Sequence, residues 1–168
     1  DFANDPSGKL LILSENDDIS IMVSEEDHIR IQTLKNGLNL KSALDLANMI
    51  DDVLDNFLNY AYSDKLGFLT ACPTNLGTGL RASVMLHLPA LTAAGYINKL
   101  SSTISKFGLT IRGIYGEGSK SKGNIYQISN QITLGITEKE AVDNLENIVE
   151  QVIKQEQNAR ETIFKDKD

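Results

Sequence analysis

The sequence predicts an α+β fold, a mostly antiparallel β-sheet flanked by helices. Three observations lead there. Short apolar or alternating runs come in consecutive pairs separated by tight turn chemistry, the pattern of hairpins. Three long stretches instead carry apolar residues at spacings of three and four, the period of a helix with one buried face. The strand-like runs outnumber the helical stretches and do not alternate with them one for one, as a doubly wound parallel sheet requires.

Taken in order, Lys9–Ser14 (KLLILS) is an apolar run and Ile19–Ser24 (ISIMVS) a β-branched one, with the turn residues Glu15–Asp18 between them. His28–Leu34 alternates apolar and polar residues and reads as a third strand. Leu40, Ala43, Leu44, Ala47, Ile50, Val53, Leu54, Phe57 and Leu58 mark a long amphipathic helix, with Asn39 as its N-cap. Leu66–Thr70 is a short strand, and Ala82–Leu88 another. Pro89 suits the first turn of a second helix, predicted to run to about Phe107 and to stop at Gly108. Leu109–Tyr115 and Asn124–Ser129 are strands on either side of a Gly/Ser-rich loop, Gly116–Gly123. Thr137 and Glu140 form a capping box that opens a last helix to about Gln157, followed by a charged tail.

The 168 residues suit one domain with a sizeable core, and no clear linker or internal repeat divides them. A net charge of −7 and a pI near 4.8 argue against non-specific binding to nucleic acid or to an anionic membrane surface. A single cysteine leaves no internal disulfide, which fits a reducing compartment, and cytoplasmic localisation is expected. No apolar run approaches the roughly 18–20 residues that span a bilayer, and no signal peptide is evident.

Of sixteen cationic side chains only four are arginines, and Arg30, Arg81 and Arg112 fall at or beside strand–loop junctions. A rigid bidentate fork there suits phosphate oxygens, although strand arginines also lie over sheet edges or pair with a carboxylate. The run Glu25–Glu26–Asp27 reads first as solvated turn surface. Glu117 sits among glycines that allow close backbone approach to a ligand or simply make a turn. Cys72 taken alone is a small hydrophobe, yet Pro73, Thr74 and Asn75 after it look like loop, and Thr74 is placed to hydrogen-bond a thiolate. His28 and His87 lack metal-ligand spacing with the cysteine, and Gly77–Arg81 (GTGLR) lacks the lysine and spacing of a P-loop. No metal ligand is assigned.

Together, SEEDHIR (Ser24–Arg30), CPTNLGTGLRAS (Cys72–Ser83), RGIYGEGS (Arg112–Ser119) and ISN (Ile128–Asn130) resemble the catalytic domain of the ATP:guanido phosphotransferases, the phosphagen kinase family. The resemblance implies a glutamine synthetase-like catalytic fold and phosphoryl transfer from ATP, with Mg²⁺, to a guanidinium. Within the family the chain looks most like the bacterial protein arginine kinases. Tyr115, Gly118 and Met85 stand where kinases of small guanidino compounds usually carry a basic residue and two histidines.

That likeness implies arginine side chains of proteins as substrate, phosphoarginine as product, and a heat-shock repressor and a degradation machinery as partners. Arg30, Arg81 and Arg112 would clamp the ATP phosphates. Glu26 and Glu117 would hold the guanidinium, one of them as base, with Cys72 beside it as a thiolate. The loop from Cys72 to Arg81 would then serve opposite walls of one site, and Gly116–Gly123 would act as a lid.

The family's domain also has an upstream strand with further arginines and, in the protein arginine kinases, a C-terminal region credited with recognising phosphoarginine. Neither is in this sequence, which opens without methionine. Residues 1–168 are therefore expected to be a partial catalytic domain (core about 10–157, tail 158–168), weakly active or inactive in isolation. A kinase of free arginine or another small guanidino compound, and a non-catalytic module that binds nucleotide or phosphoarginine, stay as alternatives, and dimerisation stays open.

Overall fold

Every strand pairing in the computed structural model, which describes residues 7–113 and 122–165, is antiparallel. The α+β prediction holds, with the strands divided among three small sheets. The chain forms two compact units, residues 1–79 and 80–168.

In the first unit, β1 (Leu10–Leu13), β2 (Ile19–Val23) and β3 (Ile29–Thr33) form a meander in the order β1-β2-β3. Helix α1 (Leu40–Asp55) follows, and the Thr33 hydroxyl ties β3 to it by donating to the Ala43 carbonyl at 2.8 Å. Asn39 occupies the cap position, but its side chain does not cap. Its amide donates back to the Asn36 carbonyl, so the predicted cap bond is replaced by a turn bond. The predicted strand at Leu66–Thr70 shrinks to β5 (Gly67–Phe68), paired with a two-residue strand that the sequence did not announce, β4 (Tyr62–Ser63). Phe68 packs edge-on against the rings of Tyr60 and Tyr62, at 5.7 and 5.3 Å between centroids.

Gly67 is required where it stands. Its φ is +75°, and a Cβ there would lie 2.3 Å from the Gly77 carbonyl oxygen, on the backbone that Phe68 pairs with. Gly67→Ala is expected to destabilise this unit by about 2–3 kcal/mol through backbone clash and left-handed strain. Urea unfolding of the variant against the parent checks this.

The second unit holds nearly all the buried apolar residues. Strands β6 (Ser83–His87), β7 (Leu109–Gly113) and β8 (Ile125–Asn130) form a sheet in the order β6-β8-β7. The single predicted helix from Pro89 to Phe107 is two, α2 (Pro89–Ala93) and α3 (Ile97–Ile104), followed by a 3-10 turn. The break falls at Gly95, whose φ of +72° no helix continues. Gly108 ends the segment as expected. The Thr137–Glu140 capping box is complete: the Glu140 carboxylate accepts the Thr137 amide at 2.8 Å, and the Thr137 hydroxyl accepts the Glu140 amide at 3.2 Å. It opens α4, which runs from Glu138 to Lys165, so most of the predicted tail is helix. The α4 face formed by Ala141, Val142, Leu145, Ile148, Val149 and Val152 is buried, as are Leu88, Leu109 and Ile128. Apolar residues at three- and four-residue spacing along α4 thus pack against the sheet.

Candidate active site

The predicted site residues fall into two groups, one on each unit. On the first unit, the turn between β2 and β3 is closed by the Ser24 amide donating to the His28 carbonyl at 2.9 Å, with Ser24 in the left-handed region (φ 57°). This presents Glu25, Glu26, Asp27 and His28 around an open cavity of about 180 Å³. Glu26, at the crest, is exposed. Arg30 pairs with Glu25 and lies 3.9 Å from Glu26. The Arg30 guanidinium, helped by the Glu26 amide, holds the Glu25 carboxyl below its usual range. Arg30 therefore stands among carboxylates here.

Cys72 starts the other half of this group. It is half-buried, against the simple reading of a core hydrophobe. Pro73–Asn75 form a 3-10 turn, closed by the Asn75 amide on the Cys72 carbonyl at 3.0 Å. The Thr70 hydroxyl donates to that same carbonyl at 2.7 Å. Cys72 Sγ and Thr74 Oγ1 are 3.0 Å apart, the geometry the sequence suggested.

The signal that sequence reasoning missed is Asp27. Its Oδ1 accepts the Ala71 amide at 2.6 Å and its Oδ2 accepts Asn75 Nδ2 at 2.8 Å, so the acidic turn is bonded to the cysteine loop. An acidic run on a turn looks solvated whether or not one member faces inward. Only the polar, loop-like residues after Cys72 hinted at a partner.

The second unit carries Arg81 and Arg112. Alternation along the pleat divides its sheet into an apolar face (Val84, Leu86, Ile111, Tyr126, Ile128) against the helices and a polar face. On the polar face Ser83 opposes Ser129, and Arg112 opposes Gln127. Gln127 Nε2 donates to Ser83 Oγ at 2.8 Å, and Arg81 reaches Ser129 Oγ at 3.5 Å. Two donor-only guanidinium forks thus share a sheet face with hydroxyls and an amide, a donor set that fits phosphate oxygens.

Asn130, at the end of β8, sets the Arg81 segment. Its Oδ1 accepts the Ala82 amide at 2.7 Å, while its Nδ2 donates to the carbonyls of Leu80 and Ile132 at 3.0 and 3.1 Å. A buried asparagine closing an apolar strand was the available sign. Glu117, Tyr115 and Gly118 lie outside the described residues.

Among the described residues no group of three His, Cys, Asp or Glu side chains is placed to hold a metal ion, and no helix is long and apolar enough to cross a membrane.

Residues 1–159 match the family model of the ATP:guanido phosphotransferase C-terminal catalytic domain. A protein-arginine kinase of Halothermothrix orenii is 56% identical over 161 residues, covering 96% of this chain and 46% of its own length. A protein-arginine kinase of Geobacillus sp. (strain WCH70) is 57% identical over 154 residues, 92% of this chain and 42% of its own length. The chain thus spans less than half the length of these relatives. Among solved structures, the duplicated taurocyamine kinase from Schistosoma mansoni with bound transition state analog components superposes with a TM-score of 0.83 at 35% identity, over 91% of this chain and 21% of its own. A lombricine kinase superposes with a TM-score of 0.79 at 30% identity, over 94% of this chain and 44% of its own. The acidic turn, the cysteine loop and the arginine-bearing sheet face lie within the matched residues, and the chain belongs to the ATP:guanido phosphotransferase family, in its C-terminal catalytic domain.

Proposed function

We propose that this chain carries the phosphoryl-transfer site of a kinase that moves the γ-phosphoryl group of ATP to arginine side chains of proteins, giving phosphoarginine. The observation that carries the reading is the sorting of charge by unit. One unit presents carboxylates and a thiol, which suit a cationic guanidinium. The other presents Arg81 and Arg112 on a polar sheet face, which suits a polyphosphate.

A guanidinium holds its proton to a pKa above about 12 and is a poor nucleophile until oriented and deprotonated. Glu26 in this reading aligns it and accepts a proton from the attacking nitrogen as the N–P bond forms and the bond to the ADP oxygen breaks. The resemblance gives Glu117 the matching role on the other side of the guanidinium. The resemblance places Cys72 beside the guanidinium, with its sulfur 3.0 Å from the Thr74 hydroxyl. Arg81 and Arg112 neutralise charge on the transferring group and on the leaving ADP; the resemblance assigns Arg30 to the same clamp, a role for which it would have to leave its pairing with Glu25. Mg²⁺, when bound, supplies further neutralisation, held through nucleotide phosphates and water.

Protein substrates rather than small guanidino compounds are supported by the relatives above 50% identity, which are protein-arginine kinases. The structural matches named for small-guanidine substrates are at 30–35%. A heat-shock repressor and degradation machinery as partners, and a cytoplasmic setting in which Cys72 stays a free thiol, belong to the same reading.

The test is calorimetric titration with Mg-ADP of this chain and of its Arg81→Ala variant. Loss of one charge-assisted contact is expected to weaken binding by about tenfold or more. Equal affinity in both proteins would remove the arginine face from the nucleotide site.

A further inference from the structure

Asp27 is the third carboxylate of an acidic run, but it is not used as the first two are. Glu25 pairs with Arg30, and Glu26 is exposed at the crest of the turn. Asp27 is half-buried, and both its oxygens are engaged within the protein, by the Ala71 amide at 2.6 Å and by Asn75 Nδ2 at 2.8 Å. Those two donors bracket Cys72. Ala71 immediately precedes it, and Asn75 ends the 3-10 turn that carries Thr74, whose Oγ1 lies 3.0 Å from the sulfur. One hydrogen bond would leave the loop free to pivot. Two, accepted by the separate oxygens of one carboxylate, fix both its distance and its rotation. Because Glu26 is the neighbouring residue on the same turn, the tie relates Glu26 to Cys72 across 46 residues of sequence.

We propose that Asp27 is a positioning residue, holding the Glu26 turn and the Cys72 loop in the register in which they meet a guanidinium. The significance of that register rests on the function proposed above; the tie itself does not. Asp27 acts through geometry rather than through its charge, and two substitutions separate these. Asp27→Asn removes the charge but keeps an oxygen for the Ala71 amide. Its Nδ2 can donate to Asn75 Oδ1 once the Asn75 amide turns over, so both bonds survive. Asp27→Ala removes both bonds along with the charge.

The readouts are the alkylation rate of Cys72 by iodoacetamide at fixed pH and the hydrogen-exchange rate of the Ala71 amide, with circular dichroism to confirm folding. In Asp27→Ala, Ala71 exchange is expected to rise by about tenfold or more, and the alkylation rate to depart from the parent's by about fivefold or more. In Asp27→Asn, both rates stay within about twofold of the parent's. Equal changes in the two variants would make Asp27 an electrostatic group and overturn the proposal, as would parental alkylation in both. Asn75→Ala cuts only the Oδ2 bond. It should give an intermediate change in alkylation, and it decides the matter if Asp27→Ala does not fold: a parental rate there also overturns the proposal. Equal Mg-ADP affinity in the parent and Arg81→Ala with the Asp27 pattern intact would remove the arginine face from the proposed site and leave the tie standing.

Discussion

Asn130→Ala is expected to lower the stability of the second unit by about 3–5 kcal/mol, because it breaks three hydrogen bonds at a site almost closed to water. The Ala82 amide loses its acceptor, and the Leu80 and Ile132 carbonyls lose their donor. Backbone polar groups stranded in this way account for much of the loss, beyond the bonds themselves. Asn130→Asp should fare little better. It keeps an acceptor for Ala82 but turns an oxygen toward two carbonyl oxygens. Asn130→Leu, close in size, tests the same point with the volume nearly kept, and it should lose almost as much as alanine. Urea unfolding measures all three. The functional signature is separate: the segment these bonds hold carries Arg81. Under conditions where the variant is still folded, Mg-ADP affinity should fall although Asn130 touches no phosphate in the proposed site. Unchanged affinity in a folded Asn130 variant would show that Arg81 is placed by something else.

Glu156→Ala should have an effect of similar size for a related reason. Glu156 is 4% exposed, on α4, and its two carboxylate oxygens accept the Ala90 and Leu91 amides at 3.0 and 2.9 Å, in the first turn of α2. Arg160, one turn along, donates to Oε1 at 2.7 Å, and its guanidinium also reaches the His87 carbonyl at 3.4 Å. Removing the carboxylate leaves two buried amides and a cation without their partner, a loss of about 3–5 kcal/mol.

The same geometry gives the pH dependence. Burial pushes the Glu156 carboxyl up, but the Leu91 amide, the Arg160 guanidinium and the Ala90 amide together outweigh it and hold the group below the usual carboxylate range. A carboxyl depressed in the folded state contributes stability that is fully present above its unfolded pKa and is lost as pH falls through the folded value. The urea midpoint of the parent should therefore fall as pH drops below about 4.5. Glu156→Gln, which does not titrate, should be less stable at neutral pH, with the gap narrowing in acid. A gap that stays constant from pH 7 to 3 would mean that the Glu156 charge contributes nothing.

Both residues show where the sequence was opaque. Strand alternation and short apolar runs located β1, β2, β3, β6, β7 and β8 to within a residue or two, because half-buried strands must alternate and turn residues must separate them. The capping box located the start of α4. The end of α4 was not visible. Past Val152 the buried face continues through a glutamate, and an apolar-period reading stops there. The Glu156–Arg160 pair, a helical i,i+4 bond, carries the helix into residues that look like a charged tail. The split of α2 from α3 was hidden because apolar spacing runs on through Gly95, and β4 because two residues have no period. In the site, Arg81, Arg112, Glu26 and Cys72 stood out by residue type and position. Asp27 and Asn130 did not, since their work is to bond backbone and amide groups of distant segments, which no local pattern records.

Burial is shared very unequally between the two units. Leu40 is the buried apolar residue of the first among the described residues, and all four residues of β1, from Leu10 to Leu13, are more than 40% exposed. The second has the interleaved helix-and-sheet interior. Local opening is cheapest where least apolar surface is withdrawn from water, so the molecule has a stiff half and a pliant one. On the proposed function the stiff half presents Arg81 and Arg112, to a ligand whose shape never varies. The pliant half presents the carboxylates and the thiol, to an arginine that arrives on proteins of many contours. Under that reading, rigidity within this chain is matched to the nucleotide and compliance to the arginine that a protein brings.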